Sequence, residues 1–166
     1  MLNKKIVRNL YDEVMELVGL EKDFLFFVFV DEEEFKRITK NEYLYKFFYD
    51  LGKSKKFEEV NPGFIAILNN VILFCLKKAN RVLHGLSKND KYYLIKHSIA
   101  HEIGHALTNC DKTDADESTI HSENESKANA YADMFFDSDR IEKLNDIVWK
   151  GVYGLLEEEQ KRLMTP

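Results

Sequence analysis

His101-Glu102-Ile103-Gly104-His105 reads H-E-x-x-H inside a stretch with helical periodicity. Residues four apart lie one turn from each other on the same helix face, so the two imidazoles can grip a single metal ion. Glu102 then stands beside the coordination position that the histidines leave open. Two ligands, a base and an open position are what a zinc hydrolase needs. A solvated or core-satisfied histidine pair is the bland alternative to the same five residues.

The surrounding residues support a helix. Ser87 with Asp90 three residues on gives a serine N-cap and a capping box, and no proline interrupts the chain from there to Cys110. Ile95, Ile99, Ile103 and Ala106 recur at spacings of four and three, which marks one buried face. His97, His101 and His105 run along a neighbouring strip. Gly104 is the anomaly, because glycine inside a helix costs about 1 kcal/mol relative to alanine. It makes sense if a second backbone must come close beside the histidines.

Two histidines do not complete a zinc site. The candidates for a third ligand are Glu123 and Glu125, in a downstream stretch that also reads as a helix with Ala128, Ala132 and Phe135 as its apolar stripe. Glu125 lies three residues before Ala128 and seven before Ala132, so it shares their face, and Glu123 aligns less well. A carboxylate on a buried face is costly unless it is paired or binds a metal, which selects Glu125. Ser122 with Glu125 also fits a capping box, in which the acid would only return to a backbone N–H. Asn129, one turn beyond Glu125, can steady a ligating histidine or be an ordinary exposed polar residue.

The two segments together, His101-Glu102-Ile103-Gly104-His105-Ala106-Leu107 and Glu125-Ser126-Lys127-Ala128-Asn129-Ala130-Tyr131-Ala132, resemble the ImmA/IrrE family of zinc metallo-endopeptidases. That family occurs in mobile elements and bacterial stress responses. The resemblance implies a zincin-like fold, one Zn2+ per chain held by His101, His105 and Glu125, and Glu102 as catalytic acid/base in the manner of gluzincins. It also implies a protein substrate, with a helix-turn-helix repressor as one such target. Lys127 stands where the family usually has a second glutamate, and Met134-Phe135-Phe136-Asp137 replaces its usual Leu-Leu-x-Pro close.

The remaining composition narrows the class. The 166 residues form one expected domain, with a motif core at about 61–137 and a helical C-terminal extension at 138–166. Twelve phenylalanines and eight tyrosines supply bulk for a core. A formal charge of −5 argues against direct nucleic-acid binding, which normally shows a basic face. Cys75 and Cys110 have no C-x-x-C spacing, so reduced thiols are expected. The first ten residues lack a signal-peptide core, and the apolar run at 24–30 is too short to cross a bilayer, which points to a cytoplasmic protein with no membrane partner.

Along the chain, residues 1–20 read as an amphipathic helix carrying Ile6, Leu10, Val14 and Leu17, with Gly19 near its end. Residues 23–31 read as a buried strand, and 32–50 as one or two helices. A loop follows from Leu51-Gly52, and Asn61-Pro62-Gly63 is a strong turn. Two apolar runs, 64–68 and 71–76, flank Asn69-Asn70 and predict a hairpin. An acidic loop is expected over 109–121. The last third reads as helix, with Ile141, Leu144 and Val148 on one face and a glycine break at Gly151 and Gly154. The class is α+β, a small sheet or hairpin packed on the H-E-x-x-H helix and a second ligand-bearing helix.

The reading is a zinc-dependent metallopeptidase acting on an intracellular protein or peptide. A hairpin edge over 64–76 would let an extended peptide add as a strand beside the metal. Candidates for the oxyanion donor are His121, Tyr131 and His97, while His84 reads as structural. Histidine and carboxylate ligands also suit manganese, iron or nickel. The alternative of a different class is a metal-stabilised interaction module, an anti-repressor that binds a regulator without cutting it. The presence of Glu102 favours the enzyme, since a binder has no need of a base.

Overall fold

The computed structural model describes residues 1–39, 63–108 and 117–164. The elements, in order, are α1 (Lys4–Val18), β1 (Phe26–Phe29), α2 (Glu32–Thr39), β2 (Ile65–Leu68), β3 (Val71–Phe74), α3 (Leu76–Val82), α4 (Lys88–Leu107), α5 (Glu117–Asp133) and α6 (Ser138–Met164). The result is a mixed α+β chain, mostly helical, around one small sheet.

The predicted hairpin forms. Asn69 and Asn70 make a two-residue turn with Asn69 in the left-handed region (φ 55°), a conformation asparagine tolerates better than most side chains. β2 pairs antiparallel to β3, with Ile67 opposite Ile72. β1 joins the other side of β3 in parallel, Phe27 opposite Ile72, so the order is β1-β3-β2 and the hairpin's second strand is central. Among the described residues, β1 is therefore an edge strand. The expectation of a buried strand holds on one face only: Phe27 is buried, whereas Phe26 is 62% exposed.

Alternation along the strands gives the sheet two different faces. Phe27, Ile72 and Phe74 turn toward the main core, where Tyr11 of α1 stacks 4.7 Å from Phe27 and Phe64 meets Phe74 edge-on at 5.5 Å. The opposite face carries Ala66, Leu73 and Cys75, and α2 covers it with Phe35.

α1 buries Val7, Leu10, Tyr11, Val14 and Met15, and Gly19 ends it at φ 73°. The buried stripe lies slightly round from the expected one, leaving Leu17 half-exposed. Leu94, Ile95, Ile99 and Ile103 of α4 enter the same core. α6 adds Ile141, Leu144, Val148 and Val152. That helix runs unbroken past Gly151 and Gly154, contrary to the expected break. Glycine lowers helix propensity, but neighbouring turns that pack on the core can carry the helix through it.

Two further expectations need correction. The strand expected over 71–76 ends at Phe74, and Leu76 opens the short helix α3. α5 begins at Glu117 rather than after His121, so part of the expected acidic loop is helix. The expected turn at Asn61-Pro62, the second half of the 32–50 segment, the Leu51-Gly52 loop and Cys110 lie outside the described residues. Among the described residues, no helix is long and apolar enough to cross a membrane.

Candidate metal centre

α4 starts where its sequence says it should. Ser87 caps it, its Oγ accepting from the Asp90 N–H at 3.2 Å, and the helix then runs twenty residues to Leu107. That length carries His97, His101 and His105 on successive turns. α5 crosses back along α4 in the opposite direction, so that Glu125 meets His101 and His105 while Asp133, two turns later, meets His97.

Close approach of these helices depends on small residues. A Cβ placed on Gly104 would lie 2.9 Å from the Ala128 Cα, 3.0 Å from the Ala128 carbonyl oxygen and 3.1 Å from the Tyr131 Cβ. The first two are backbone atoms of a packed helix and cannot step aside. Gly104 therefore sets the separation of α4 and α5, and with it the reach of Glu125 toward the histidines. The sequence anomaly has a structural reason.

The site is a triangle of three side-chain ends. His105 Nε2 is 2.9 Å from Glu125 Oε1, His101 Nε2 is 3.2 Å from Glu125 Oε2, and the two Nε2 atoms are 3.1 Å apart. A tetrahedral zinc with bonds of about 2.0–2.1 Å separates its ligand atoms by about 3.3 Å. The triangle is thus within a few tenths of an ångström of that spacing, and its donor set of two imidazoles and a carboxylate suits a divalent cation. These three residues form the group that can hold a metal among the described residues.

Electrostatics agree with the geometry. Burial alone would raise the Glu125 carboxyl, but the hydrogen bonds and charges of His101 and His105 outweigh it and hold the group well below the usual carboxylate range. Glu125 is half-buried and Glu123 exposed, as the helical phase requires. The capping-box alternative does not apply, since Ser122 lies inside α5 rather than at its start.

Glu102 is buried in α4 at 9% exposure, next in the chain to the first histidine. Asn129 is exposed on α5, which fits an ordinary surface polar residue better than a clamp on a histidine. Of the oxyanion candidates, His97 is buried, packed edge-on against Phe136 at 5.9 Å, with its Nε2 3.5 Å from Asp133 Oδ1. Burial lowers its pKa, opposed in part by Asp133. It is not part of the metal-binding triangle. Tyr131 is half-buried beside Gly104, its ring edge-on to Phe135 at 5.5 Å and its hydroxyl pKa raised by burial. The side chain of His121 lies outside the described residues. His84 sits exposed in the turn after α3, which does not fit a structural role in the core.

The apolar stripe of α5 also departs from expectation. Ala128 and Ala132 are fully buried, but the aromatic that follows them into the core is Phe136 rather than Phe135. α5 ends at Asp133, yet Phe136 follows Ala128 and Ala132 at the same four-residue spacing, its N–H still bonded to the Ala132 carbonyl at 3.2 Å. Among the described residues β2 lies at the sheet edge and packs against α4, which puts a strand edge alongside the helix that bears the histidines.

Comparison of the chain with family models, with curated proteins and with solved structures finds no match, so the reading of this site rests on its own residues.

Proposed function

We propose that this chain is a zinc-dependent metallopeptidase with a zincin-like arrangement, similar to the ImmA/IrrE endopeptidases, cutting a protein substrate inside the cell. The observation that carries the reading is the convergence of His101, His105 and Glu125 at ligand spacing, with a buried glutamate directly after the first histidine. A metal held there supplies a Lewis acid for the scissile carbonyl and makes a water easier to deprotonate.

The chain's own residues would do the rest. Glu102 takes a proton from the attacking water and returns it to the departing amine, the work of a general base turned general acid. Its burial suits that role, because a proton taken from the water is shielded from bulk solvent until it passes to the amine. Glu125 offsets the positive charge at the site and fixes both imidazoles from the opposite helix. The edge of β2 offers N–H and C=O groups to an extended peptide, which would dock as a further strand and lie along α4. A helix-turn-helix regulator is the class of substrate that the family resemblance suggests.

Glu102→Gln tests this reading. The substitution keeps size and shape, takes no ligand from the metal and removes the base. The variant should fold, load metal and still capture its protein partner in a pull-down, while cleavage falls by roughly 10²–10⁴-fold. If the variant cuts as well as the wild type, Glu102 is not the base. If it supports the full biological effect without cutting, the chain acts by binding, as an anti-repressor would.

A further inference from the structure

On the far side of the sheet from the main core, α2 and α3 bring several cationic side chains to the Phe35 seam, although α2 also opens with Glu32, Glu33 and Glu34. Lys36 comes from α2, and Lys77, Lys78 and Arg81 come from α3. Glu32 is the carboxylate they surround, and it is already taken: Arg81 holds its Oε1 at 2.5 Å and Lys77 lies 3.8 Å from its Oε2. Lys78 makes no ion pair among the described residues. Its Nζ lies 5.5 Å from the centre of the Phe35 ring, in the half-buried seam that Phe35 shares with Cys75 and Leu73.

An ammonium in that position has lost part of its hydration and gained no carboxylate in exchange. A ring face at this distance returns only a fraction of what the lost hydration costs. The groups facing it are Arg81 and Lys36, which repel its charge, and Glu32 and Cys75, which favour it. Burial dominates and pushes the amine down to about 8. Lysines desolvated beside other cations are the ones that proteins use as nucleophiles.

We propose that Lys78 is a reactive amine that accepts an acyl group from an anionic donor of the acyl-phosphate class, with Lys36, Lys77 and Arg81 drawing in the phosphate end. In the step, the neutral Lys78 Nζ attacks the acyl carbon and an N–C bond forms. The C–O bond to phosphate breaks, phosphate leaves with the electron pair, and the surplus amine proton passes to solvent. Nothing is oxidised or reduced. The product is an amide, which removes a charge that the seam holds at a cost. The proposal does not depend on the metal site.

The test is peptide-resolved mass spectrometry of the full chain treated with acetyl phosphate at pH 7.5, with Lys77 as the internal control. At that pH roughly a quarter of a lysine titrating at about 8 is free amine, against about one in a thousand for an ordinary exposed lysine. Weaker basicity takes back part of that advantage, so Lys78 should label about tenfold or more faster than Lys77. Its rate should level off above about pH 8. Equal rates at the two lysines overturn the proposal. Sulfate, matched to chloride in ionic strength, should slow acetyl phosphate at Lys78 and leave a neutral N-hydroxysuccinimidyl acetate untouched. If sulfate slows both donors or neither, the cations do not hold the donor and the acyl-phosphate assignment falls.

Discussion

Gly104 shows how one residue can carry both a cost and a function. It lowers the helix propensity of α4 in the turn that bears the histidines, yet a side chain there would run into the backbone of Ala128 at 2.9 Å. Gly104→Ala makes a simple prediction because the two effects oppose each other. Alanine gains about 1 kcal/mol of helix propensity, while forcing an atom into a packed crossing costs about 1–3 kcal/mol. The variant should be destabilised by up to about 2 kcal/mol in urea unfolding. It should also bind metal more weakly, since Glu125 rides on the helix that is pushed away. A variant as stable as the wild type, with unchanged metal affinity, would mean that α4 and α5 do not meet here. At this scale the sequence is informative: the glycine, the two histidines and the phase of Glu125 against Ala128 and Ala132 are each legible from the residues alone. The surroundings of His97, with Phe136 and Asp133 for company, are not, because those contacts come from the end of α5 and the turn after it.

Among the elements, the legible ones announce themselves through local chemistry. Ser87 and Asp90 mark the start of α4, Gly19 the end of α1, and Asn69-Asn70 the hairpin turn. What stays hidden depends on tertiary contacts. α3 follows β3 with only Cys75 between them, so its first residue, Leu76, reads as the end of the strand, and its course is set partly by Asn80, whose amide clasps the backbone of Leu2 on both sides at 2.8 and 3.0 Å. α6 runs through Gly151 because its turns on the N-terminal side are anchored in the core. Packing of α3 against α2 also makes a prediction of its own. Below about pH 8, Lys78 is charged in both folded and unfolded chains, and the desolvation cost is present in full. Between about 8 and its ordinary value of 10.5, the unfolded chain holds a proton that the folded chain has released, so the stability of the wild type rises with pH through this window. Lys78→Met should therefore be more stable than the wild type by about 1–3 kcal/mol at pH 7, with the gap closing toward pH 10.5. A gap that stays constant across that range would mean the amine is hydrated in the fold.

For the molecule as a whole, the architecture serves to hold two antiparallel helices at one fixed distance. The sheet and α1 bury the Ile95, Ile99 and Ile103 face of α4, and this leaves the histidine strip for α5. α6 closes the arrangement at the far end, where Tyr93 accepts the Asp137 N–H at 2.7 Å and Arg140 pairs with Asp90 at 2.9 Å. The α+β class and the ligand triangle are legible because each rests on a local pattern. The parallel placement of β1 beside β3 is not, since it pairs segments more than forty residues apart and no turn signal spans them. The central claim is that this assembly exists to seat a metal. Metal content of the purified chain, measured by inductively coupled plasma mass spectrometry for the wild type, Glu125→Gln and Glu123→Gln, tests it most directly. The account predicts about one zinc per chain in the wild type and in Glu123→Gln, and little or none in Glu125→Gln, because two histidines alone rarely hold zinc against buffer. A wild type without stoichiometric metal, or a Glu125→Gln variant as fully loaded as the wild type, would contradict it.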